Sequence, residues 1–270
     1  MSLRTDIICA LDPVELWEAL YHTEPDPWQA AVLRSDHRRI VLCTSRQVGK
    51  STVVATKALH LGLYTPGSLI LLVSRSLRQS GELARKVFSA YRTLQRPVPP
   101  ESESRLALEL SNGSRIIALP GGDEGGIRGY SSVSALIIDE AARCPDQLYA
   151  AMRPSIAVSG GSITLLSTPF GRRGFFYRVW AEEGGWLKVE VPANKCPRLA
   201  PEFLQQERIS LGEYWFRQEY LTEFVAGDDQ IFSDESIDAA FRSDIEPLFP
   251  DDVVEDSMLT DVPPLFTGEV

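Results

Sequence analysis

The sequence predicts an α/β fold, a mostly parallel sheet flanked by helices with a small helical lid subdomain. Two observations carry this. Short, nearly continuous apolar runs recur at 40–43, 68–74, 135–139 and 162–167, the pattern of strands buried on both faces. Segments with helical spacing alternate with them, so consecutive strands are joined by helical crossovers and lie parallel. Such crossovers are right-handed, which brings the loop after 40–43 and the Asp139-Glu140 end of 135–139 to one edge of the sheet.

Taken in order, 12–21 is a short amphipathic helix and Pro27-Trp28-Gln29 opens another through 33. The first core strand is 40–43, and 50–63 is the helix behind it. A second strand at 68–74 precedes a helix at 77–94 that carries Arg78, Arg85, Lys86 and Arg92. Segments 106–110 and 115–119 form a hairpin across Ser111-Asn112-Gly113, and 121–126 is a glycine-rich flexible loop. Then come a strand at 135–139, a helix at 146–152, a strand at 162–167, a helix at 174–180 and a late strand at 187–191. Two helices, 201–210 and 212–224, form the lid. Residues 1–198 thus read as the core, 199–226 as the lid and 227–270 as an acidic linker or tail, with one short helix at 236–242.

Charge is unevenly spread. The 270-residue chain has a net charge of −10, but residues 227–270 hold thirteen Asp or Glu and one basic residue, Arg242; the remainder holds 26 basic and 24 acidic residues. The acidity belongs to the tail, and the near-neutral core is free to present basic patches to phosphate. No run approaches eighteen apolar residues, so no membrane partner is expected. The polar, charged start of the chain does not read as a signal peptide. Cys9, Cys43, Cys144 and Cys196 lack C-x-x-C spacing and read as reduced thiols, and His22, His37 and His60 are too dispersed for a metal cluster.

The chemistry concentrates in a few motifs. The loop Thr44-Ser45-Arg46-Gln47-Val48-Gly49-Lys50-Ser51-Thr52 joins the first strand to the first long helix. A loop of this kind turns backbone N–H groups and a helix N-terminus toward an anion, and its lysine adds a mobile positive charge. Ser51 offers a hydroxyl to Mg²⁺. Thr44 stands where the G-x-x-x-x-G-K-[ST] pattern has its first glycine. The strand ending Asp139-Glu140 supplies two carboxylates at the edge where ligands of parallel sheets bind; in a P-loop ATPase the first holds the Mg²⁺ shell and the second polarises the attacking water. Either motif alone fits a plain helix start or a solvated strand end; together, with β-α-β patterning between them, they point to a nucleotide site.

Four pieces keep more than one reading. Ser167-Thr168-Pro169 either senses the γ-phosphate or forms a strand-end turn. Trp28-Gln29 either recognises adenine, the amide pairing with the base edge and the ring packing over it, or starts a helix. Arg128, between Ile127 and Gly129, can bind DNA, pair within the fold or enter a neighbour's active site as an arginine finger. Arg46 reads as a phosphate contact or a structural strut.

These residues resemble a known family. Pro27-Trp28-Gln29, the loop SRQVGKST, the strand LIIDEAA and the STP motif occur in the same order in the large terminase subunits of tailed bacteriophages. The resemblance covers about residues 20–226. It implies an ASCE-type P-loop NTPase that hydrolyses ATP with Mg²⁺ to drive double-stranded DNA into a procapsid. It further implies a ring of subunits, a portal protein and a small terminase subunit as partners, and a place in the host cell cytoplasm on the procapsid. By matching position, Gln29, beside Trp28, resembles the adenine-recognition glutamine, and Ser45 through Thr52 the phosphate loop, with Lys50 its lysine. Ser51 and Asp139 resemble the Mg²⁺ residues, Glu140 the catalytic glutamate, Ser167 and Thr168 the coupling motif, and Arg128 the trans-acting arginine finger. Such proteins continue into an RNase H-like nuclease. The acidic residues beyond 226 lie on no strand run that could scaffold one, so nuclease activity is not expected of this chain.

Two other classes fit less well. A helicase- or translocase-like DNA-dependent ATPase shares these motifs but needs a second RecA-like unit, for which nothing after residue 200 is suited. A nucleotide-binding switch needs neither Glu140 nor Arg128.

Overall fold

The computed structural model of the chain describes residues 2–121 and 129–225. The central sheet has eight strands: β1 (Arg39–Thr44), β2 (Leu69–Ser74), β3 (Pro100–Glu103), β4 (Ala107–Leu110), β5 (Arg115–Pro120), β6 (Ala135–Asp139), β7 (Ser162–Ser167) and β8 (Leu187–Val191). Their order is β3-β4-β5-β2-β6-β7-β1-β8. The run from β5 to β8 is parallel throughout, and β3, β4 and β5 pair antiparallel at one edge.

The helices are α1 (Leu3–Leu11), α2 (Pro13–Tyr21), α3 (Pro27–Arg34), α4 (Lys50–Tyr64), α5 (Leu77–Thr93), α6 (Asp146–Ala157), α7 (Gly174–Ala181) and α8 (Pro201–Tyr220). Alternate strand residues feed two cores, as a pleat requires. Ile40, Leu42, Ile70, Leu72 and Ile137 face one core with helices α1 to α5. Val41, Cys43, Leu71, Val73, Leu136 and Ile138 face the other with α6 and α7. That two-sided burial is why these strands are apolar without alternation.

The expected strands and crossover helices are present with small shifts at their ends, except that the helix expected at 146–152 runs on through Pro154 to Ala157. Two elements escaped the sequence reading. Helix α1 is capped by the Ser2 side chain, which accepts from Thr5 N, yet Leu3 and Leu11 are 77% and 82% exposed, so it has no inward apolar stripe to read. Strand β3 is an edge strand, Pro-Glu-Ser-Glu, with no buried residue. The two helices expected after residue 200 are present: α8 is two helical stretches joined across a break at Gly212 (φ 78°, ψ 163°), and only its end differs, at Tyr220 instead of 224. Phe224 leaves the helix to pack on Tyr177, with ring centroids 5.1 Å apart. The glycine-rich loop at 122–126, Arg128 and the expected helix at 236–242 lie outside the described residues.

Topology positions the site. Strand β7 lies between β1 and β6, with Cys43 opposite Ser167 and Asp139 opposite Leu166. The phosphate-type loop, the Ser-Thr pair and the two carboxylates therefore leave the same edge of three adjacent strands.

Candidate nucleotide site

Loop 45–49 leaves β1 without a glycine because none is needed there. Thr44 is still in the strand, paired with Val191, and Ser45 N donates to Val191 O at 2.9 Å. The chain turns later, where Gln47 (φ 61°) and Gly49 (φ 92°) take left-handed conformations, a backbone form that points successive N–H groups into a concavity. A Cβ on Gly49 would lie 2.8 Å from Gln29 Nε2, so any other residue there would be strained at this φ and would push the Gln29 amide aside. Val48 is buried beside Val191 and Cys196, with Trp28 against them.

Lys50 opens α4, and its Nζ lies 3.2 Å from Glu140 Oε1. Ser51 Oγ donates weakly to Asp139 Oδ2 at 3.5 Å. Glu140 follows β6 in a left-handed conformation (φ 52°), and its N–H donates to Asp139 Oδ1 at 2.9 Å. Asp139 is 9% exposed. Burial pushes its carboxyl up, and the nearby Lys50 charge opposes that. The hydroxyls of Thr44, Ser74 and Ser167 are also buried at the ends of β1, β2 and β7 with no protein partner. A desolvated carboxylate beside a serine hydroxyl, amid unsatisfied hydroxyls, is a donor set suited to a cation that brings its own water and phosphate oxygens. Among the described residues no group of three or more His, Cys, Asp or Glu could hold a metal ion.

Gln29 is 2% exposed. Its Oε1 accepts from Asp26 N at 2.8 Å and its Nε2 approaches Val48 O at 3.4 Å. Both ends of the amide are thus engaged inside the fold, and contact with a base would exchange those bonds. Trp28 is half-buried, its Nε1 unpartnered. Arg198, which carried no signal in the sequence, closes this corner with a 2.8 Å bond to Val48 O and a 2.8 Å ion pair with Asp26.

Two more residues were missed. Glu219 on α8 accepts from Arg46 Nε at 2.7 Å and from Arg143 Nη2 at 2.8 Å. Arg143 Nη1 in turn donates to Thr168 Oγ1 at 2.9 Å and lies 3.5 Å from Glu140 Oε2. Arg46, Glu140, Thr168 and α8 are thus joined through one guanidinium and one carboxylate. An arginine three residues beyond Glu140 was visible as a pattern; its partner 76 residues later was not.

Burial opposes the charged form of Glu219, but Arg46 and Arg143 outweigh it and hold the carboxyl below its usual range. Its stabilising effect is therefore complete above the unfolded value of about 4.3 and is lost as pH falls through the lower native value. Glu219→Gln is expected to cost about 1.5–3 kcal/mol at pH 7, the range for hydrogen bonds to charged groups. Thermal melts from pH 7 to pH 3 should show that gap closing below about pH 4.3; a gap independent of pH would refute the assignment.

Comparison with known proteins agrees with this architecture. A family model described as terminase large subunit, T4likevirus-type, N-terminal, matches residues 41–238. The terminase large subunit of Thermus phage G20c is 25% identical over 258 residues, covering 83% of this chain and 53% of the relative. That of Escherichia phage T5 is 28% identical over 209 residues, covering 73% and 46%. The chain spans about half the length of these relatives. Among solved structures, the large terminase ATPase domain of Thermus phage P74-26 superposes with a TM-score of 0.70 at 22% identity, over 79% of this chain and 99% of that one. The large terminase of the thermophilic bacteriophage D6E in complex with ADP gives 0.59 at 14% identity, over 74% and 53%. The α/β fold is shared with both, and with its family model spanning most of the sequence, the chain belongs to the N-terminal family of T4likevirus-type terminase large subunits.

Proposed function

We propose that this chain is the ATPase part of a DNA-packaging motor: it hydrolyses ATP with Mg²⁺ to move double-stranded viral DNA into a procapsid. The observation that carries this is the assembly of Lys50, Ser51, Asp139 and Glu140 at the end of β6 and the start of α4, with Lys50 Nζ 3.2 Å from Glu140. A D6E large terminase that binds ADP and ATP-γ-S supports a nucleotide as the ligand.

Each residue has a role in this reading. The amides of Ser45 through Thr52 and the α4 N-terminus hold the phosphates. Gln29 and Trp28 face the base. Ser51 and Asp139 would hold Mg²⁺, partly through water, and the ion would supply positive charge against the phosphates. When Lys50 turns to those phosphates it releases Glu140 Oε1, and Glu140 then orients the attacking water and accepts its proton. Thr168, tied to α8 through Arg143 and Glu219, passes the change to the lid. Residues 1–198 act as the core, 199–226 as the lid and 227–270 as an acidic linker. Arg128 of a neighbouring subunit completes the charge stabilisation in a ring. Portal protein and small subunit are the partners, on the procapsid in the host cytoplasm. Among the described residues no helix is long and apolar enough to cross a membrane.

The test is ATP turnover of the whole chain against protein concentration, with and without linear duplex DNA and with Mg²⁺ present or chelated. The expected result is Mg²⁺-dependent turnover that rises more than linearly with concentration. Tight nucleotide binding without turnover under any of these conditions would remove the motor reading.

A further inference from the structure

Arg143 lies in the 3-10 turn Ala141–Arg143, directly after the strand that ends in Asp139. With φ positive at Glu140, that turn brings residue 143 back beside residue 140. Its side chain is 18% exposed and reaches three partners on three elements: Thr168 after β7, Glu140 after β6 and Glu219 on α8. The guanidinium also lies 4.7 Å from the centroid of the Phe170 ring, so its plane is fixed on a fourth side.

We propose that Arg143 is a positioning residue that sets the orientation of Glu140 according to where the lid stands. The proposal rests on the reading of Glu140 as the catalytic glutamate. With α8 docked, Glu219 holds one arm of the fork and Thr168 the other. The guanidinium is then presented to Glu140 Oε2 while Lys50 holds Oε1. When Lys50 leaves for phosphate, Arg143 is the cation that still directs the carboxylate. If α8 shifts, the Glu219 arm is released, the fork turns, and Glu140 loses its orientation. A rigid planar fork with fixed donor directions can bridge carboxylate, hydroxyl and carboxylate at once; an ammonium on a flexible stem cannot.

The experiment compares wild type, Arg143→Ala, Arg143→Lys, Glu219→Gln, the Arg143→Ala/Glu219→Gln double variant and Glu140→Gln. It measures kcat and KM for Mg²⁺-ATP, and affinity for a fluorescent ATP analogue. Outer partners of catalytic groups typically contribute about 10–100-fold. Arg143→Ala is expected to lose kcat on that scale with KM and analogue affinity unchanged, and Arg143→Lys to recover part of the loss. Glu219 also holds Arg46, so the double variant should lose less than the product of the two single losses, because the Arg143–Glu219 link is common to both. Wild-type kcat in Arg143→Ala, or losses in the two single variants that multiply in the double, would overturn the proposal while leaving Glu140 in its role. Turnover that survives in Glu140→Gln would remove the catalytic reading itself, and this proposal with it.

Discussion

Glu140→Gln is expected to bind Mg²⁺-ATP as wild type does and to hydrolyse it about 10²–10⁴-fold more slowly, the usual range for a lost general base. The substitution keeps the shape of the side chain and one oxygen near Lys50, so the 3.2 Å contact weakens from an ion pair to a neutral hydrogen bond. Binding should survive, because the groups proposed to grip phosphate are backbone amides of loop 45–49 and Lys50. Lys50 in fact loses its protein counter-ion in this variant and is freer to pair with phosphate. The loss should therefore fall in kcat alone, the signature of an interaction made only in the transition state. The check is single-turnover hydrolysis alongside titration with a fluorescent analogue. A parallel loss of affinity would mean instead that Glu140 holds Lys50 in place, and retained turnover would move the base to another residue.

Most of the sheet was legible because two-sided burial forces a continuous apolar run. Strand β2 has all six residues buried, and its sequence LILLVS admits few other readings. Helix α4 was legible because Gly49 and Lys50 mark its start. Helix α1 and strand β3 were not, since α1 buries only Cys9 and β3 buries no residue. The site divides in the same way. Residues that act through the backbone, or lie next to their partner in sequence, left motifs: Gly49-Lys50-Ser51 in the loop and Asp139-Glu140 at a strand end. The second layer left none. Glu219 reads as one more charge on a polar helix, and Arg198 as one more loop cation, until folding sets them against Arg46, Arg143, Asp26 and Val48. Their function lies in pairings across the tertiary structure, for which neither helical nor strand periodicity carries information. Thr44 shows the reverse case. Its departure from the glycine pattern looked like a defect in the motif, yet pairing with Val191 keeps the chain extended at that residue, and the turn falls at Gln47 and Gly49 instead.

The largest expected effect belongs to Arg128. In enzymes that use an arginine finger, its removal costs about 10³–10⁵ in rate, and Arg128→Ala is expected to lose turnover on that scale with ATP affinity intact. The physical case is one of charge. Within the described site, Lys50 is the cation beside Glu140 that is free to move to phosphate; Arg143 is held by Thr168 and Glu219, and Arg46 by Glu219. As the γ-phosphoryl group leaves, its oxygens gain no further cation from these residues unless α8 moves, so a guanidinium from outside the site would have most to stabilise. Arg128 sits next to Gly129, seven residues before β6 begins at Ala135, in sequence that leads into the strand bearing Asp139. A finger acting between subunits makes a prediction that an intramolecular contact does not: mixing Arg128→Ala with Glu140→Gln should restore turnover, because one subunit supplies the arginine and its neighbour the glutamate. Two inactive chains that regain activity on mixing, with a rate that depends on their ratio, would establish shared sites. Mixtures that remain inactive at every ratio, with Arg128→Ala alone at its low rate, would confine Arg128 to its own chain.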